Sequence, residues 1–156
     1  MNTNRLRDIP RDECLRLIAH QPIGRVVYTD GALPVCTPVN FAVHQKSIVF
    51  RTAPASRMAL ALDGAVVAFE VDRFDEDGQS GWSVLVTGTA TRVADVSTLV
   101  RLEQLRLSAA AGDDRSCWMR IVPAMVTGRR VPALGEAAPM DSTAPMDSTV
   151  LEPLAG

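Results

Sequence analysis

Apolar residues recur at two different spacings along this chain, and the change of spacing separates helical from extended segments. Between residues 10 and 20 they follow helical spacing, with Pro10 at a first-turn position. Asp12 and Glu13 stand where carboxylates favour the positive end of the helix dipole. From Gly24 onward the spacing changes to two, which is typical of strands that bury one face. The pattern predicts one helix followed by a β-rich fold.

The two-residue alternation is clearest between residues 33 and 43. Its apolar members define one predicted buried face: Leu33, Val35, Val39, Phe41 and Val43. Pro34 and Pro38 stand on the opposite face and cannot donate a ladder hydrogen bond. We therefore expect this strand to be an edge, bulged or only partly paired there, with backbone groups left free.

Further segments rich in β-branched and aromatic residues predict a total of about six strands. They are Arg25–Tyr28, Ser47–Thr52, Ala65–Asp72, Trp82–Val93 and Cys117–Thr127. Most of them follow one another without long crossover helices, so the sheet is predicted to be mainly antiparallel. This favours a mainly β fold, a small closed or partly closed barrel, over a doubly wound sheet. No GxGxxG follows a strand, so a Rossmann nucleotide site has no support.

Two more helices are predicted from their end signals. A short one covers Ser56–Leu62 and is ended by Asp63-Gly64, and a longer one covers Val96–Leu107 with Asp95 as its N-cap.

Composition narrows the class of protein. The chain has 156 residues, 47% of them hydrophobic, enough for one domain with its own core. A formal net charge of −2 gives no general attraction to nucleic acid or anionic lipid. No window of about 18 apolar residues is present, and Arg5, Arg7 and Asp8 stand where a signal peptide needs an apolar stretch. We expect a cytoplasmic protein with neither a membrane nor a nucleic-acid partner.

The three cysteines, Cys14, Cys36 and Cys117, form no CxxC pair and have no nearby histidine. Reduced thiols and no metal site are expected.

The composition changes near the end of the chain. Residues 138–143 read Ala-Pro-Met-Asp-Ser-Thr, and residues 144–149 repeat them. Few large side chains and several prolines predict a disordered tail over residues 132–156, after a folded domain over residues 1–131. A docking tail and an extension without activity both remain open.

The segment from Phe50 to Met58 has the composition of a phosphate site. It joins a strand to a helix, whose N-terminus offers unpaired N–H groups and a partial positive charge. Thr52, Ser56, Arg51 and Arg57 add hydroxyl and guanidinium donors. The alternative is a capping serine with two solvated arginines.

Other candidates are weaker. Trp82, at the start of a long strand, would line a planar ligand or pack in a core or dimer interface. His20 and His44 have no acid or nucleophile at diagnostic spacing and are expected to be structural or solvated. Glu70 and Asp72 share one face of a strand and are interpreted as solvated groups or as partners of arginines. No acid, base or nucleophile constellation emerges.

The order of these segments resembles the pyridoxamine 5′-phosphate oxidase-like family of flavin-binding split barrels, over about residues 8 to 131. The resemblance rests on Arg25–Tyr28, Thr37–Asn40, Phe50–Thr52, Ser56-Arg57, Gly81–Gly88 and Val126–Arg130. It implies a six-stranded antiparallel Greek-key split barrel with flanking helices. It also implies a homodimer with a flavin mononucleotide (FMN) site at each end of the dimer interface.

The resemblance also implies roles for individual residues. The strand that includes Pro38, Val39 and Asn40 would run beneath the isoalloxazine ring and offer it backbone groups, with Asn40 in ring contact. Arg51 and Thr52 would hold ribityl and phosphate oxygens, and Ser56 and Arg57 the phosphate. Ser83, beside Trp82, would reach across from the neighbouring subunit.

Departures from the family pattern limit the expected activity. Met58 stands where true pyridoxamine phosphate oxidases carry a basic phosphate ligand, and a thioether cannot replace that charge. Vitamin B6 oxidation is therefore not expected. The closer likeness is to short actinobacterial flavin or deazaflavin oxidoreductases.

A bound flavin would itself perform the hydride or electron transfer, so no catalytic side chain is required. The expected activity is reduction of the flavin by NAD(P)H, followed by transfer to a small planar acceptor. Three alternatives stay open. The first is an enzyme that uses a deazaflavin coenzyme, with Arg25, Arg129 and Arg130 available for its polyanionic tail. The second is a protein that binds or senses flavin, deazaflavin or haem without turnover, with His44 as haem ligand. The third is a protein whose site has decayed.

Overall fold

The computed structural model describes residues 6–107 and 116–133. Its helices are α1 (Arg11–Ala19), α2 (Arg57–Leu62) and α3 (Val96–Glu103). Its strands are β1 (Arg7–Ile9), β2 (Ile23–Asp30), β3 (Leu33–His44), β4 (Ser47–Thr52), β5 (Val66–Phe74), β6 (Gly81–Arg92) and β7 (Cys117–Val131). The repeat-bearing tail lies outside the described residues, apart from Pro132 and Ala133, so its disorder stays a prediction.

Six of the strands close a barrel. Their order is β7-β4-β3-β2-β5-β6, and β6 pairs with β7 to complete the circle. Every pairing is antiparallel, and β5 returns to lie beside β2 after the β2-β3-β4 meander, which is a Greek key. The predicted six-stranded barrel is confirmed. The sequence analysis missed β1, a three-residue strand on β7 that is too short to show any alternation.

Two hydrophobic clusters hold the described elements together. The main cluster fills the barrel, and the buried face of α1 and Leu62 of α2 pack against it. A smaller cluster lies on the outer face of the barrel, where Val49 and Trp118 meet Leu102 of α3. Helices α1 and α2 therefore pack against the barrel interior, and α3 packs against the outer face. No helix within the described ranges has the length and apolar content that crossing a bilayer requires.

The pairing of the first eight residues of β3 explains how its two prolines are accommodated. Along residues 33–40, β3 pairs with β2 alone, and its pairing with β4 begins only at Phe41. The Phe41 N–H donates to the carbonyl of Pro22 on the β2 side, at 3.4 Å. By alternation, the backbone groups of Pro34 and Pro38 face away from β2, where no N–H is needed. The predicted partial pairing is confirmed.

The buried face of β3 is shorter than predicted. Val39 and Phe41 are buried, but Leu33 is 69% exposed because it lies at the β2–β3 turn, beyond the barrel interior. Similarly, α3 ends at Glu103 rather than Leu107, since Arg106 adopts a positive φ of 48° that a helix does not accept.

A β-bulge bends β7, which pairs with β4 and with β1 at different points along the same edge. β7 pairs with β4 over residues 117–121 and with β1 over residues 128–130. Between these stretches its register against β6 shifts, so that Thr87 pairs with Met125 and Gly88 with Pro123. The extra residue on β7 bends the strand, and it also explains how a proline is accommodated inside a long strand.

Gly88→Ala should destabilise the barrel by about 2–3 kcal/mol, because a Cβ at this position would collide with the carbonyl oxygen of Val122, and backbone gives way less readily than a side chain. Urea unfolding measures the loss. Thr89→Ala, at the next and exposed position, is the control and should change stability by less than about 0.5 kcal/mol. Equal effects of the two variants would contradict the close approach at the bulge.

Asp95 begins α3 as predicted. Its carboxylate accepts the Thr98 N–H at 2.7 Å and the hydroxyls of Ser97 and Thr98 at 2.6 and 2.7 Å. These hydrogen bonds, with the Ser97 hydroxyl first among them, lower the pKa of Asp95 to about 2. The charged form is thus favoured in the folded protein.

A lowered folded-state pKa means that the stabilisation by Asp95 is present above the ordinary pKa of 3.8 and is lost as the pH falls through about 2. The wild type should therefore be more stable than Asp95→Ala at pH 6, and the difference should shrink between pH 4 and pH 2. Urea midpoints across this range measure it, with Asp77→Ala, an exposed turn residue, as control. A difference that stays constant down to pH 2 would refute the cap.

Candidate functional site

β3 and β4 separate after a short ladder. Their pairing ends at Phe41 and Phe50, although both strands continue beyond this pair. From that point β3 is held only by β2, and β4 only by β7. We call the opening between the diverging strands the β3–β4 split. It exposes one edge of β3 over residues 33–40.

The backbone of this open edge has a defined set of polar groups. The Phe41 N–H points towards β2, and backbone groups alternate in direction along a strand. Over residues 33–40, the N–H and C=O groups of the even-numbered residues therefore point into the split. Pro34 and Pro38 therefore contribute carbonyl oxygens only. The Cys36 N–H lies on this edge, with no strand beside it among the described residues. The edge is mostly an array of acceptors with few donors.

Two hydroxyl groups meet at the end of β4. The Oγ1 atom of Thr52 lies 3.0 Å from Oγ of Ser56, and Thr52 is only 7% exposed. Ser56, predicted as the first residue of this helix and alternatively as a capping serine, is the N-cap of α2, and its Oγ accepts the Ala59 N–H at 3.0 Å. One of the two hydroxyl hydrogens bridges the pair, which leaves the other for a ligand. The cap also uses one N–H group that the sequence analysis expected to be free for phosphate.

The Arg57 side chain leaves this pair and reaches the β2–β3 turn. Its Nη2 lies 2.9 Å from Oδ2 of Asp30, while the Arg57 side chain remains 83% exposed. A cleft of about 390 Å³ beside them is lined partly by Leu60 and Ala61 of α2. A guanidinium has five N–H donors, so this single contact leaves most of them for an anion.

Arg51 points to the opposite face from Thr52, as neighbouring strand residues do. Its guanidinium lies over the Trp118 ring at 5.4 Å from the centroid and 4.0 Å from Oε2 of Glu103. Glu103 also accepts the Trp118 indole N–H at 2.7 Å. These contacts fasten α3 to the barrel, so Arg51 and Thr52 do not converge on one point within this chain.

The predicted ring-binding residues of β3 divide between the two faces. Val39 is buried in the barrel, so only its backbone can reach a ligand. Pro38 is exposed, and Asn40 is half-buried at the last position before the ladder with β4. Asn40 therefore stands at the apex of the split. Its proposed ring contact stays a prediction.

Trp82 and Ser83 lie outside the β3–β4 split. They are on β6, opposite Arg130 and Arg129 of β7, and are separated from β3 by β5 and β2 in the sheet order. Within one chain the structure does not bring them to the split. The contact across a subunit interface that the family resemblance implies stays a prediction.

The remaining charged candidates have carboxylate partners. Arg25 Nη1 donates to Glu70 at 2.9 Å and to Asp72 at 3.0 Å, which confirms these carboxylates as arginine partners. Burial raises the pKa of Glu70, although its hydrogen bond from Arg25 acts in the opposite direction. The Arg130 guanidinium is 2.8 Å from Glu13, and that of Arg129 is 3.9 Å from Asp8. The arginines considered for a polyanionic tail thus already carry counter-ions.

Two further residues that the sequence analysis considered, Met58 and His44, are at least partly buried. Met58 is half-buried and packs against the main cluster, so its thioether serves the core where the family's basic residue would serve phosphate. The Nε2 atom of His44 is buried and has no hydrogen-bond partner among the described residues.

The sequence analysis missed Asp30, the residue that holds Arg57. It precedes Gly31 at a turn, where aspartate is common for local reasons, so nothing in its surroundings pointed to a residue 27 positions away.

Thr52→Val and Ser56→Ala should destabilise the protein non-additively. Ser56→Ala costs about 1 kcal/mol for the cap and also leaves the buried Thr52 hydroxyl unpaired. The double variant removes that unpaired group, so it should lose about 1 kcal/mol less than the sum of the single losses. Urea unfolding of the four proteins gives the coupling. Additive losses would mean that the hydroxyl pair contributes nothing.

Comparison with known proteins relates this fold to a protein family. The model of the family described as pyridoxamine 5′-phosphate oxidase matches residues 10–130. The uncharacterized protein Rv0080 of Mycobacterium tuberculosis is 37% identical over 131 residues, which are 81% of this chain and 86% of that protein.

Two solved structures share the fold at appreciable identity. The FAD binding protein from Mycobacterium smegmatis superposes with a TM-score of 0.70 and 31% identity, covering 80% of this chain and 97% of the other. A conserved protein of unknown function from Corynebacterium diphtheriae gives a TM-score of 0.68 and 27% identity, covering 81% and 98%. The split barrel, its predicted motifs and these matches agree: the chain belongs to the pyridoxamine 5′-phosphate oxidase family.

Proposed function

We propose that this protein is a flavin-dependent oxidoreductase that binds FMN in the β3–β4 split and passes hydride or electrons to a small planar acceptor. The observation that carries the proposal is the split itself. It places an edge of β3 that no described strand covers next to a pair of hydroxyls and an exposed arginine. Family membership supports it, and so does the M. smegmatis relative, which is an FAD binding protein.

The residues of the split have suitable chemistry for a flavin mononucleotide. Ser56 and Thr52 have one hydroxyl hydrogen between them for a phosphate oxygen. Arg57 is exposed enough to turn from Asp30 towards an anion and to bind it bidentately. The open edge of β3 offers carbonyl acceptors, and the Cys36 N–H, to the polar rim of a planar ring. Both ends of the cofactor would therefore have matching partners.

The chain's own part in the reaction is binding and orientation. A bound flavin supplies the hydride and electron chemistry. Arg57 and the hydroxyl pair would fix the phosphate end, and the edge of β3 would set the plane of the ring. Asn40, at the apex of the split, would hold the ring edge. Reduction would come from a nicotinamide, NADH or NADPH.

We further propose a homodimer that completes this site. Trp82 and Ser83 do not lie at the split of their own chain, because β5 and β2 separate them from β3, and on the other side their partners Arg130 and Arg129 lie at the far end of β7 from the residues that pair with β4. A second copy would bring Ser83, which lies on the outer face of its β6 with Leu85, against the ring. Exposed apolar side chains on β6 and β7, Leu85, Val122 and Met125, supply surface for such packing.

Arg57→Ala should weaken FMN binding by about 1 kcal/mol, roughly fivefold, because it removes a charge-assisted hydrogen bond at a mostly exposed position. Riboflavin, which lacks the phosphate, should bind the wild type and the variant equally. Fluorescence titration of both ligands into flavin-free protein measures the four affinities.

The matched control is Arg11→Ala, an exposed arginine on α1, which should leave both affinities unchanged. If Arg57→Ala binds FMN as tightly as the wild type does, Arg57 is no phosphate ligand. If it weakens riboflavin to the same extent, its effect is on the fold.

The absorption spectrum of the purified protein, with mass spectrometry of the released cofactor, tests the cofactor itself. We expect oxidised flavin bands, FMN by mass, and bleaching on anaerobic addition of NADH or NADPH. Flavin bound without bleaching would favour the non-catalytic binder. A deazaflavin would replace FMN as the hydride carrier. A Soret band would support the haem alternative, which is suggested by the Nε2 of His44, an atom with no hydrogen-bond partner among the described residues.

A further inference from the structure

A second cleft lies between α1 and the β5–β6 hairpin. We call it the α1–β6 cleft; its volume is about 430 Å³, within the range of pockets that hold small ligands. Its lining residues come from both elements: Glu13, Arg16, Leu17, His20, Gln21, Arg73 and Trp82. None of them belongs to the β3–β4 split of the same chain.

Two arginines of the cleft have no counter-ion within the described part of the chain. The side chains of Arg16 and Arg73 make no hydrogen bond or ion pair with any residue that the structure describes. The single acidic group of the lining, Glu13, is already neutralised by Arg130 at 2.8 Å. The cleft therefore has a net positive charge, whereas the whole chain has a net charge of −2.

The cleft also contains an aromatic wall. Trp82 is only partly buried, packs against the main cluster on one side and lines the cleft. Opposite it, α1 contributes residues at helical spacing, with Leu17 as the apolar member. His20 donates Nδ1–H to the carbonyl of Arg16 at 2.7 Å, since a carbonyl can only accept. Its Nε2 remains for a further hydrogen bond.

We propose that the α1–β6 cleft binds a planar aromatic anion. The indole of Trp82 would stack on the ring of such a ligand. Arg16 and Arg73 would bind its carboxylate or phosphate, because a guanidinium recognises either group bidentately. This site does not depend on the flavin proposal, and its ligand would bind together with any flavin in the split.

The two tryptophans of the chain provide a direct readout. Each gives one indole N–H signal in a ¹H–¹⁵N correlation spectrum. Trp82 lines the cleft, whereas the indole N–H of Trp118 is hydrogen-bonded to Glu103 under α3. A ligand in the α1–β6 cleft shifts the Trp82 signal and leaves the Trp118 signal in place. Trp82→Phe assigns the two signals.

The probes are two pairs that differ in charge, AMP with adenosine and 2-naphthoate with 2-naphthamide. Each is titrated into the protein as purified and again with saturating FMN. We expect each anion to bind at least tenfold more tightly than its neutral counterpart. If the affinity ratio of AMP to adenosine exceeds that of 2-naphthoate to 2-naphthamide, the site prefers phosphate; if the second ratio is larger, it prefers carboxylate.

Charge-matched variants separate this site from general attraction. Arg16→Gln and Arg73→Gln should each weaken the anion about threefold or more, as expected for partly exposed guanidinium contacts. Arg11→Gln removes an arginine from the same helix but outside the cleft, and should leave the affinity unchanged.

Three results would overturn the proposal. Neutral and anionic probes that bind equally would exclude an anion site. An Arg11→Gln effect as large as that of Arg16→Gln would show that the attraction is due to overall charge rather than to this site. Loss of probe binding in FMN-saturated protein, with FMN itself shifting Trp82, would show that the cleft is part of a flavin site. Because the probes are also titrated without FMN, failure of the flavin proposal leaves this test intact.

Discussion

The separation of β3 from β4 is the constraint on which the rest of the site depends. β4 has six residues and β3 has twelve, so the shorter strand cannot cover the longer one. Residues 33–40 consequently keep one edge without a neighbouring strand in the described structure, and α2 begins beside the end of β4. An unpaired edge invites pairing with another chain unless something covers it, and here prolines remove two of its donors. A planar ligand with polar edges would satisfy the remaining groups.

The contacts around the split give its polar groups different degrees of freedom. Thr52 is buried and paired with Ser56, so the hydroxyl pair is fixed by the end of β4 and the start of α2. Arg57 is exposed and held by one contact to Asp30, so it can reorient at low cost. Arg51 serves the interface with α3 instead. A rigid hydroxyl pair with a movable cation beside it would admit a phosphate and then close on it.

The sequence predicted what local chemistry determines. The barrel strands follow from alternation, and Asp95 caps α3 as its side-chain oxygens predicted. Ser56, expected as the first residue of the second helix, caps α2 instead, which was the alternative interpretation. The sequence could not show that Arg57 turns to Asp30, because that contact depends on a turn folding over α2. Nor could it place Trp82 in a cleft with Arg16, since α1 and β6 meet only in the folded barrel. The helical spacing of the polar residues of α1 was the one available signal of that cleft.

Hydrogen exchange of the backbone amides, with and without FMN, tests the central claim most directly. The Cys36 amide lies on the open edge of β3, so the account predicts slower exchange there and in the turn at Ser56 when FMN is bound. The amides of Leu99 and Leu102, within α3 on the other side of β4, should exchange at unchanged rates. Unchanged exchange along β3 in FMN-saturated protein would contradict the claim that the β3–β4 split is the flavin site.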